Sequence, residues 1–227
     1  MKPKQLFKAR IFSLETLNED YVIPVGKVYC VGRNYSDHAL EMNDSIEKIE
    51  PFFFTKPPQS LTQNKKIPFP KNTNNLHHEV ELVVLIGSEC KQARPSDVEK
   101  MILGYAVGLD LTKRDLQEVA KDNKKPWDLS KGFDNSAPVS LVNISNKKTI
   151  KKGKIQLKIN GTLRQLGDIS EMIWSISELV SYLSNHITLY PGDVVFTGTP
   201  AGVGEIKPGD RIEASIENVG SLEIVIA

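Results

Sequence analysis

The longest apolar run in the chain directly follows two acidic residues, and it predicts a central strand. Residues 83–86 (Val-Val-Leu-Ile) show no polar alternation, which is typical of a strand buried on both faces. Before this run, Glu79 and Glu81 alternate with apolar residues. If the strand already includes Glu79, its period of two places both carboxylates on one face, with Cα atoms about 7 Å apart.

This acidic pair has two interpretations. Two carboxylates at the start of a buried strand raise each other's pKa unless a cation lies between them, so a divalent ion is one explanation. Oxygen ligands alone would favour Mg²⁺ or Mn²⁺, whereas recruitment of His77 or His78 would favour Zn²⁺. Taken alone, however, the pair is better explained as the solvated face of an edge strand, and further ligands are needed to favour a metal.

The rest of the chain shows mainly β patterns. The Asn160-Gly161 pair lies between two alternating segments and predicts a hairpin with a type I′ turn. Other predicted strands are two short ones within 21–32 and those at 52–56, 104–111, 194–200, 211–217 and 221–226.

Helical patterns are short. Ser175 and Glu178 predict a capping box before a helix whose apolar residues recur at core-facing spacing. Ser96 and Glu99 predict a second capping box, with a helix through about residue 102. Residues 121–137 are polar and are interpreted as a loop.

Composition limits the class of protein. The chain has 227 residues, with no linker or repeat that would divide it, so one domain is expected. Because 29 basic residues balance 28 acidic ones, nothing favours nucleic acid or an anionic membrane as a partner. Cys30 and Cys90 are isolated in apolar surroundings, which is typical of buried thiols in a reducing compartment. With no signal segment recognised either, a cytoplasmic protein is expected.

Several polar residues are candidates for chemistry. Asp110 stands at the end of a predicted strand and directly before a predicted helix. It could be a third metal ligand, or it could accept hydrogen bonds from backbone amides at the start of the helix. Arg114 and Gln117 lie one helical turn apart and could hold a substrate carboxylate. His38 and Glu41, three residues apart on a short predicted helix, have the spacing of a general base and its orienting carboxylate, although a surface ion pair is the commoner explanation.

Residues 198–204 (GTPAGVG) imitate a phosphate-binding glycine loop. Pro208 and Gly209 follow where a helix would have to begin, so a nucleotide site is rejected. The small residues are expected instead to let the backbone approach a ligand closely.

A series of short motifs carries a family resemblance. The motifs are Arg33-Asn34-Tyr35 with Asp37-His38, Phe54-Thr55-Lys56-Pro57, His77-His78-Glu79-Val80-Glu81-Leu82, Gly104-Tyr105, Asp110-Leu111-Thr112, Arg114-Asp115, Lys131-Gly132-Phe133-Asp134 and residues 198–204. In this order and spacing, from about Gly32 to the C-terminus, the chain resembles the fumarylacetoacetate hydrolase family. It is most similar to the short, single-domain acylpyruvase and oxaloacetate decarboxylase branch.

The resemblance implies a fold, a cofactor and partners. The fold is a mainly β, mixed β-sandwich roll with a few short helices, forming one catalytic domain over 1–227 with its core at about 28–227. The cofactor is Mg²⁺ or Mn²⁺, the substrate is a small 2-oxo acid, and the protein is a homodimer. Residue by residue, the resemblance implies metal ligands at Glu79, Glu81 and Asp110, catalytic residues at Lys131, His38 and Glu41, and substrate contacts at Arg33, Arg114, Gln117 and Thr199.

The expected reaction is cleavage of a carbon–carbon bond that leaves a pyruvate enolate. A bound metal ion and Lys131 stabilise its oxyanion. Substrates would be 3-acylpyruvates, where His38 activates water, or oxaloacetate, which loses carbon dioxide. The alternatives are an oxaloacetate keto–enol tautomerase or a 2-hydroxy-dienedioate isomerase or decarboxylase, disfavoured by the His38 and Glu41 pair, and a binding protein with structural acids.

Overall fold

The computed structural model describes residues 6–8, 10–17, 20–36, 48–144 and 149–227. Its strands are β1 (Ser13–Glu15), β2 (Val22–Pro24), β3 (Val28–Gly32), β4 (Phe52–Lys56), β5 (Leu61–Thr62), β6 (Lys66–Ile67), β7 (Leu76–His78), β8 (Val80–Ile86), β9 (Ile102–Leu109), β10 (Thr112–Lys113), β11 (Ala137–Pro138), β12 (Asn143–Ile144), β13 (Lys154–Ile159), β14 (Thr162–Asp168), β15 (Val194–Phe196), β16 (Gly204–Ile206), β17 (Arg211–Ile216) and β18 (Gly220–Ile226). Its helices are α1 (Pro95–Val98), α2 (Arg114–Asp122), α3 (Asp128–Lys131) and α4 (Ile176–His186), with 3₁₀ turns at Pro58–Ser60, Glu99–Met101 and Ile169–Glu171.

The central sheet has the strand order β12-β9-β8-β15-β3-β4. Every residue of β8 is buried, which confirms the prediction of a strand covered on both faces. Its side chains alternate between two apolar clusters: Leu82 and Val84 belong to one, and Val83 and Leu85 to the other.

A second sheet, with the order β14-β13-β17-β18-β6, packs over one face of the central sheet. Alternate residues of its strands, such as Leu157 on β13 and Ile212 on β17, share the first cluster with Leu82. The other face of the central sheet is covered by the N-terminal strands and by the segment around β11, which contribute Leu14 and Val139. The expected mainly β fold, with several sheets and few short helices, is therefore confirmed.

Two local predictions are confirmed. Asn160 and Gly161 have φ angles of 51° and 79°, as the type I′ turn between β13 and β14 requires. Ser175 and Glu178 form the predicted capping box at the start of α4.

Two other predictions were wrong. Helix α1 begins at Pro95 and has no side-chain cap, because its N-cap residue is Arg94 and Ser96 lies inside the helix. Glu99 accepts a hydrogen bond from the Thr149 amide. The polar segment 121–137 is not only loop, since it contains α3, whose last residue, Lys131, is buried.

Several chain segments meet at one edge of the central sheet. Strand β8 begins there at Val80, opposite Leu109, where β9 ends. Strands β3 and β15 run parallel and end beside it at Gly32 and Phe196. Side chains just outside these strand ends are thus brought together. No helix in the described part of the chain is long and apolar enough to cross a membrane.

Candidate metal centre and active site

The described residues contain a cluster of three buried carboxylates at this edge. One ligand oxygen each from Glu79, Glu81 and Asp110 lies within 4.8 Å of the others. The strand register explains the convergence. Val80 pairs with Leu109, and the Asp110 amide donates a hydrogen bond to the Glu79 carbonyl at 2.9 Å, so Asp110 comes to lie beside both glutamates.

The chain changes sheets at Glu79. Strand β7 ends at His78 and belongs to a small sheet with β10 and β16, whereas β8 begins at Val80 in the central sheet. Among the described residues, the carboxylate cluster includes neither histidine. The His77 Nδ1 accepts from Arg114 Nε at 3.3 Å, and burial, with Arg114 nearby, lowers the pKa of His77 to about 4.

Lys131 lies between two of the carboxylates. Its Nζ is 2.8 Å from Glu79 Oε2 and 2.8 Å from Asp110 Oδ2, and its side chain is buried. Burial alone would lower the pKa of Lys131, but the charges of Asp110 and Glu79 outweigh this and raise it. The predicted catalytic lysine is therefore a fixed ammonium at the centre of the cluster.

Two further cations complete these ion pairs. Arg114 donates to Glu79 Oε1 at 2.6 Å and to Gln117 Oε1 at 2.5 Å. The Lys56 Nζ lies 2.8 Å from Asp110 Oδ1, and it also donates to the Lys131 carbonyl. Lys56 was not predicted as a site residue. The sequence offers one sign of its role, since it is a lysine at the end of a phenylalanine-rich strand.

Glu81 has a different environment. Its Oε2 accepts a hydrogen bond from the Gly198 amide at 2.8 Å. Within the described part of the chain, no lysine or arginine forms an ion pair with it. Burial, then the nearby charges of Asp110 and Glu79, raise the pKa of Glu81 well above its ordinary value. Among the three acids of the described cluster, Glu81 is therefore the one whose ionised form is least stabilised by side-chain cations.

The cluster fits a Mg²⁺ or Mn²⁺ ion. Its donor atoms are carboxylate oxygens, which these hard ions prefer. Side-chain cations already neutralise Glu79 and Asp110, so the acidic pair by itself did not require a metal. The observation that favours a metal is Glu81, whose ionised form has no side-chain cation beside it among the described residues and would be stabilised by a bound ion.

A cleft of about 410 Å³, including its open mouth, leads to the carboxylates. The predicted substrate contacts Arg33, Arg114, Gln117 and Thr199 all line it, and their contact with substrate stays a prediction. The Thr199 hydroxyl is engaged within the protein, because it donates to the Val80 carbonyl at 2.7 Å.

Two cations at the cleft mouth lie against aromatic rings. The Arg33 guanidinium is 5.7 Å from the Phe52 ring centre, and the Lys121 Nζ is 5.6 Å from that of Trp127. The two rings meet edge to face at 5.5 Å. Burial, then the charges of Arg114 and Arg33, lower the pKa of Lys121. Neither Lys121 nor Trp127 was predicted as a site residue, because both lie in segment 121–137, which was interpreted as a loop.

The small residues of 198–204 have another role than the one expected. A Cβ added at Gly198, whose φ is 93°, would lie 2.7 Å from the Asn34 Cβ, and one at Gly202 would lie 2.1 Å from the Arg164 carbonyl oxygen. These glycines therefore allow close approach to the protein's own chain. The expectation of close approach to a ligand is not needed to explain them.

The predicted dyad of His38 and Glu41 lies outside the described residues. Its role as general base and orienting carboxylate stays a prediction.

Comparisons with known proteins show the family to which the chain is related. The family model "Fumarylacetoacetate (FAA) hydrolase C-terminal" matches residues 27–227. The mitochondrial oxaloacetate tautomerase of Homo sapiens is 43% identical over 197 residues, which cover 86% of this chain and 89% of that protein. The oxaloacetate tautomerase of Escherichia coli (strain K12) is 42% identical over 197 residues, covering 86% and 90%.

Solved structures share the fold and carry names of other activities. The crystal structure of fumarylpyruvate hydrolase from Pseudomonas aeruginosa, in complex with Mn²⁺ and pyruvate, has a TM-score of 0.95 and 40% sequence identity, covering 99% of each chain. The 2-hydroxyhepta-2,4-diene-1,7-dioate isomerase from Mycobacterium marinum has a TM-score of 0.77 and 32% identity, covering 90% of this chain and 75% of that one.

Proposed function

The chain belongs to the fumarylacetoacetate hydrolase family, and on this basis we propose that it enolises short 2-oxo acids, with keto–enol tautomerisation of oxaloacetate as its main reaction. The observation that carries the proposal is the Lys131 ammonium, held between Glu79 and Asp110 at the base of the cleft. A fixed positive charge there is suited to the oxyanion that forms on enolisation.

The cleft offers groups for both ends of a 2-oxo acid. Arg114 has five N–H donors, and its contacts with Glu79, Gln117 and His77 engage three of them. The others can bind a substrate carboxylate beside Gln117. A second carboxylate would lie towards Arg33 and Lys121 at the cleft mouth.

Glu79, Glu81 and Asp110 would hold a Mg²⁺ or Mn²⁺ ion, which when bound supplies Lewis acidity toward the 2-oxo oxygen. Lys131 acts as a cation and hydrogen-bond donor, because its two carboxylate partners keep it protonated. Lys131 does not act as the base, so the proton removed from C3 would pass to water in the open cleft, and a proton from water would be added to the enolate oxygen to give the enol. The charge of Lys131 stabilises the enolate more than the ketone, so it lowers the barrier between them.

The charge balance of the site also supports a dianionic substrate. With a divalent ion bound and all three acids ionised, the three charges of Glu79, Glu81 and Asp110 would balance those of Lys56, Arg114 and Lys131. The ion would then leave an excess of two positive charges, to which Arg33 and Lys121 add in the same cleft. This positive cleft is suited to oxaloacetate, which carries two carboxylates.

A second candidate is the hydrolysis of 3-acylpyruvates. The observation that favours it is the likeness to the Pseudomonas aeruginosa fumarylpyruvate hydrolase, whose crystal structure includes pyruvate. Cleavage would use the same cations, since it also leaves an enolate, and His38 with Glu41 would activate the water. Decarboxylation of oxaloacetate would leave that enolate too. A homodimer in the cytoplasm remains our expectation for the assembly and its location.

Product identity separates these reactions. We expect the purified protein with Mg²⁺ to accelerate interconversion of enol- and keto-oxaloacetate, followed by ¹H NMR, with little pyruvate formed from oxaloacetate. Pyruvate released from acetylpyruvate, measured with lactate dehydrogenase, would establish the hydrolase. Lys131→Met should slow every reaction that passes through the enolate. Wild-type protein that accelerates none of them with Mg²⁺ or Mn²⁺ would contradict the proposal.

A further inference from the structure

Gln165 is a fully buried polar residue on β14, outside the cleft. It has no exposed surface, although the apolar residues Leu163 and Leu166 on the same strand are about half exposed. This is the reverse of what their hydrophobicity would predict. A buried amide needs hydrogen-bond partners, and the partners of the Gln165 side chain explain why it points inward.

Every hydrogen-bonding group of the Gln165 amide has a partner at the edge of the metal centre. The Oε1 accepts from the Val80 amide at 3.0 Å and lies 2.8 Å from His78 Nδ1. The Nε2 donates to the Thr199 hydroxyl at 2.8 Å and to the Pro200 carbonyl at 2.8 Å. One side chain therefore connects β14, the β7–β8 junction and the loop after β15.

Thr199 closes this network on Val80. Its hydroxyl accepts from Gln165 and donates to the Val80 carbonyl at 2.7 Å. Both backbone polar groups of Val80 are thus held by the Gln165–Thr199 pair. Val80 is the residue between Glu79 and Glu81, where the chain passes from one sheet to the other. Its backbone orientation decides whether the two carboxylates point to the same place.

The loop after β15 is fixed against the same two strands. Its first glycine, Gly198, donates its amide proton to Glu81 Oε2 at 2.8 Å. Gly202 packs directly against the Arg164 carbonyl, where any larger residue would clash. The loop that holds Glu81 is thereby bound to the strand that carries Gln165.

We propose that Gln165 is a positioning residue of the metal centre. Acting through Val80 and Thr199, it sets the backbone between Glu79 and Glu81 so that their carboxylates converge with Asp110 before an ion binds. The inference rests on the metal site of the proposed function, and it does not depend on which reaction the enzyme performs. Groups that orient metal ligands typically contribute about 10- to 100-fold to metal affinity.

The test is Mn²⁺ binding to the metal-free protein, measured by electron paramagnetic resonance of free Mn²⁺. Gln165→Met keeps the length of the side chain and removes all its hydrogen bonds, so we expect the Kd for Mn²⁺ to rise about 10- to 100-fold. The matched control is Gln156→Met. Gln156 lies on the neighbouring strand β13 and bonds Ser215 at 3.1 Å, away from the carboxylates, so its replacement should leave the Kd unchanged.

Near-UV circular dichroism identifies variants that keep the native fold. Should Gln165→Met not fold, Thr199→Val, which removes only the hydroxyl that holds Val80, should raise the Kd in its place. Where both single variants fold, the double variant should have the same Kd for Mn²⁺ as Gln165→Met, because the two side chains act as one unit. A wild-type Kd in a folded Gln165→Met or Thr199→Val protein would overturn this inference alone. Wild-type protein that binds no Mn²⁺ would overturn the metal site as well.

Discussion

The ammonium of Lys56 lies 2.8 Å from Asp110 Oδ1, with both side chains almost completely buried. Lys56 also donates to the Ser136 hydroxyl at 3.0 Å and to the carbonyls of Lys131 and Leu111. Its ion pair and hydrogen bonds therefore connect the end of strand β4 to Asp110 and to α3, the short helix that carries Lys131.

Removing Lys56 should strongly destabilise the fold. In Lys56→Met, Asp110 Oδ1 would lose its ion-pair partner and the Leu111 carbonyl would lose a donor. Breaking a buried ion pair on one side costs about 3–5 kcal/mol. Urea unfolding of the metal-free protein would measure this loss. The control is Lys207→Met, whose exposed ion pair with Glu205 should contribute little. Equal unfolding midpoints for wild type and Lys56→Met would contradict the assignment.

Glu81→Gln should abolish metal binding without unfolding the chain. The substitution removes a ligand oxygen charge but keeps the shape of the side chain, and no lysine or arginine of the described residues is left without an ion-pair partner. We expect Mn²⁺ binding and Mg²⁺-dependent turnover to be lost, with native circular dichroism. Glu205→Gln on β16 serves as the control. Wild-type activity in Glu81→Gln, or in wild type after complete chelation, would be incompatible with the metal site.

Lys121→Gln should weaken the binding of oxaloacetate while changing the rate of its conversion much less. Lys121 lies at the cleft mouth, beyond the carboxylate cluster, so it meets the substrate in the ground state and the transition state alike. We expect KM to rise about tenfold with little change in kcat, since a contact with a charged group contributes about 1.5 kcal/mol. Lys124→Gln, just beyond α2, is the control. A lowered kcat at unchanged KM would place Lys121 elsewhere in the mechanism.

Asp168 should contribute to the acid sensitivity of the fold. Hydrogen bonds from the Ser170 hydroxyl and amide lower the pKa of its carboxyl below the ordinary value for aspartate. A carboxyl whose pKa is depressed by folding stabilises the protein above its ordinary pKa, and this contribution disappears as the pH falls through the folded value. Asp168→Asn keeps a capping side chain but cannot titrate. Urea unfolding between about pH 6 and pH 3 should therefore show a steeper loss for wild type, whereas parallel curves would contradict it.

His38→Ala tests the residue pair that lies outside the described part of the chain. If His38 is the general base for water, hydrolysis of acetylpyruvate should fall by about 10²-fold or more. Tautomerisation of oxaloacetate consumes no water and should change much less. An unchanged rate of acetylpyruvate hydrolysis would favour the alternative interpretation, in which His38 and Glu41 form a surface ion pair.

Features with a local cause could be predicted from the sequence. The apolar run of β8 leaves no face for solvent, Asn160-Gly161 fixes its turn through two positive φ angles, and Ser175 with Glu178 caps α4 within a single turn. The carboxylate cluster was only partly within reach, because Glu79 lies between β7 and β8, so a strand period of two does not by itself place it beside Glu81. Asp110, however, needed the family resemblance, since nothing local distinguishes it from a helix-entry residue.

Features that depend on distant partners could not be predicted in this way. The acceptors of Gln165 lie more than 30 positions away along the chain at the nearest, so no local pattern explains its burial. The same holds for Lys56, whose partner Asp110 is on another strand. Helix α3 was missed because its sequence is polar, and it is held in place by the ion pairs of Lys131.

The ion pairs of the carboxylate cluster bear on how the protein acquires its ion. Many small metalloproteins fold only when the ion binds, because the site does not exist in the unfolded chain and binding supplies the free energy of folding. Here Lys56, Arg114 and Lys131 already hold Glu79 and Asp110, so we expect the chain to fold first and to bind the ion afterwards. Exchange of Mg²⁺ for Mn²⁺ should then need no refolding.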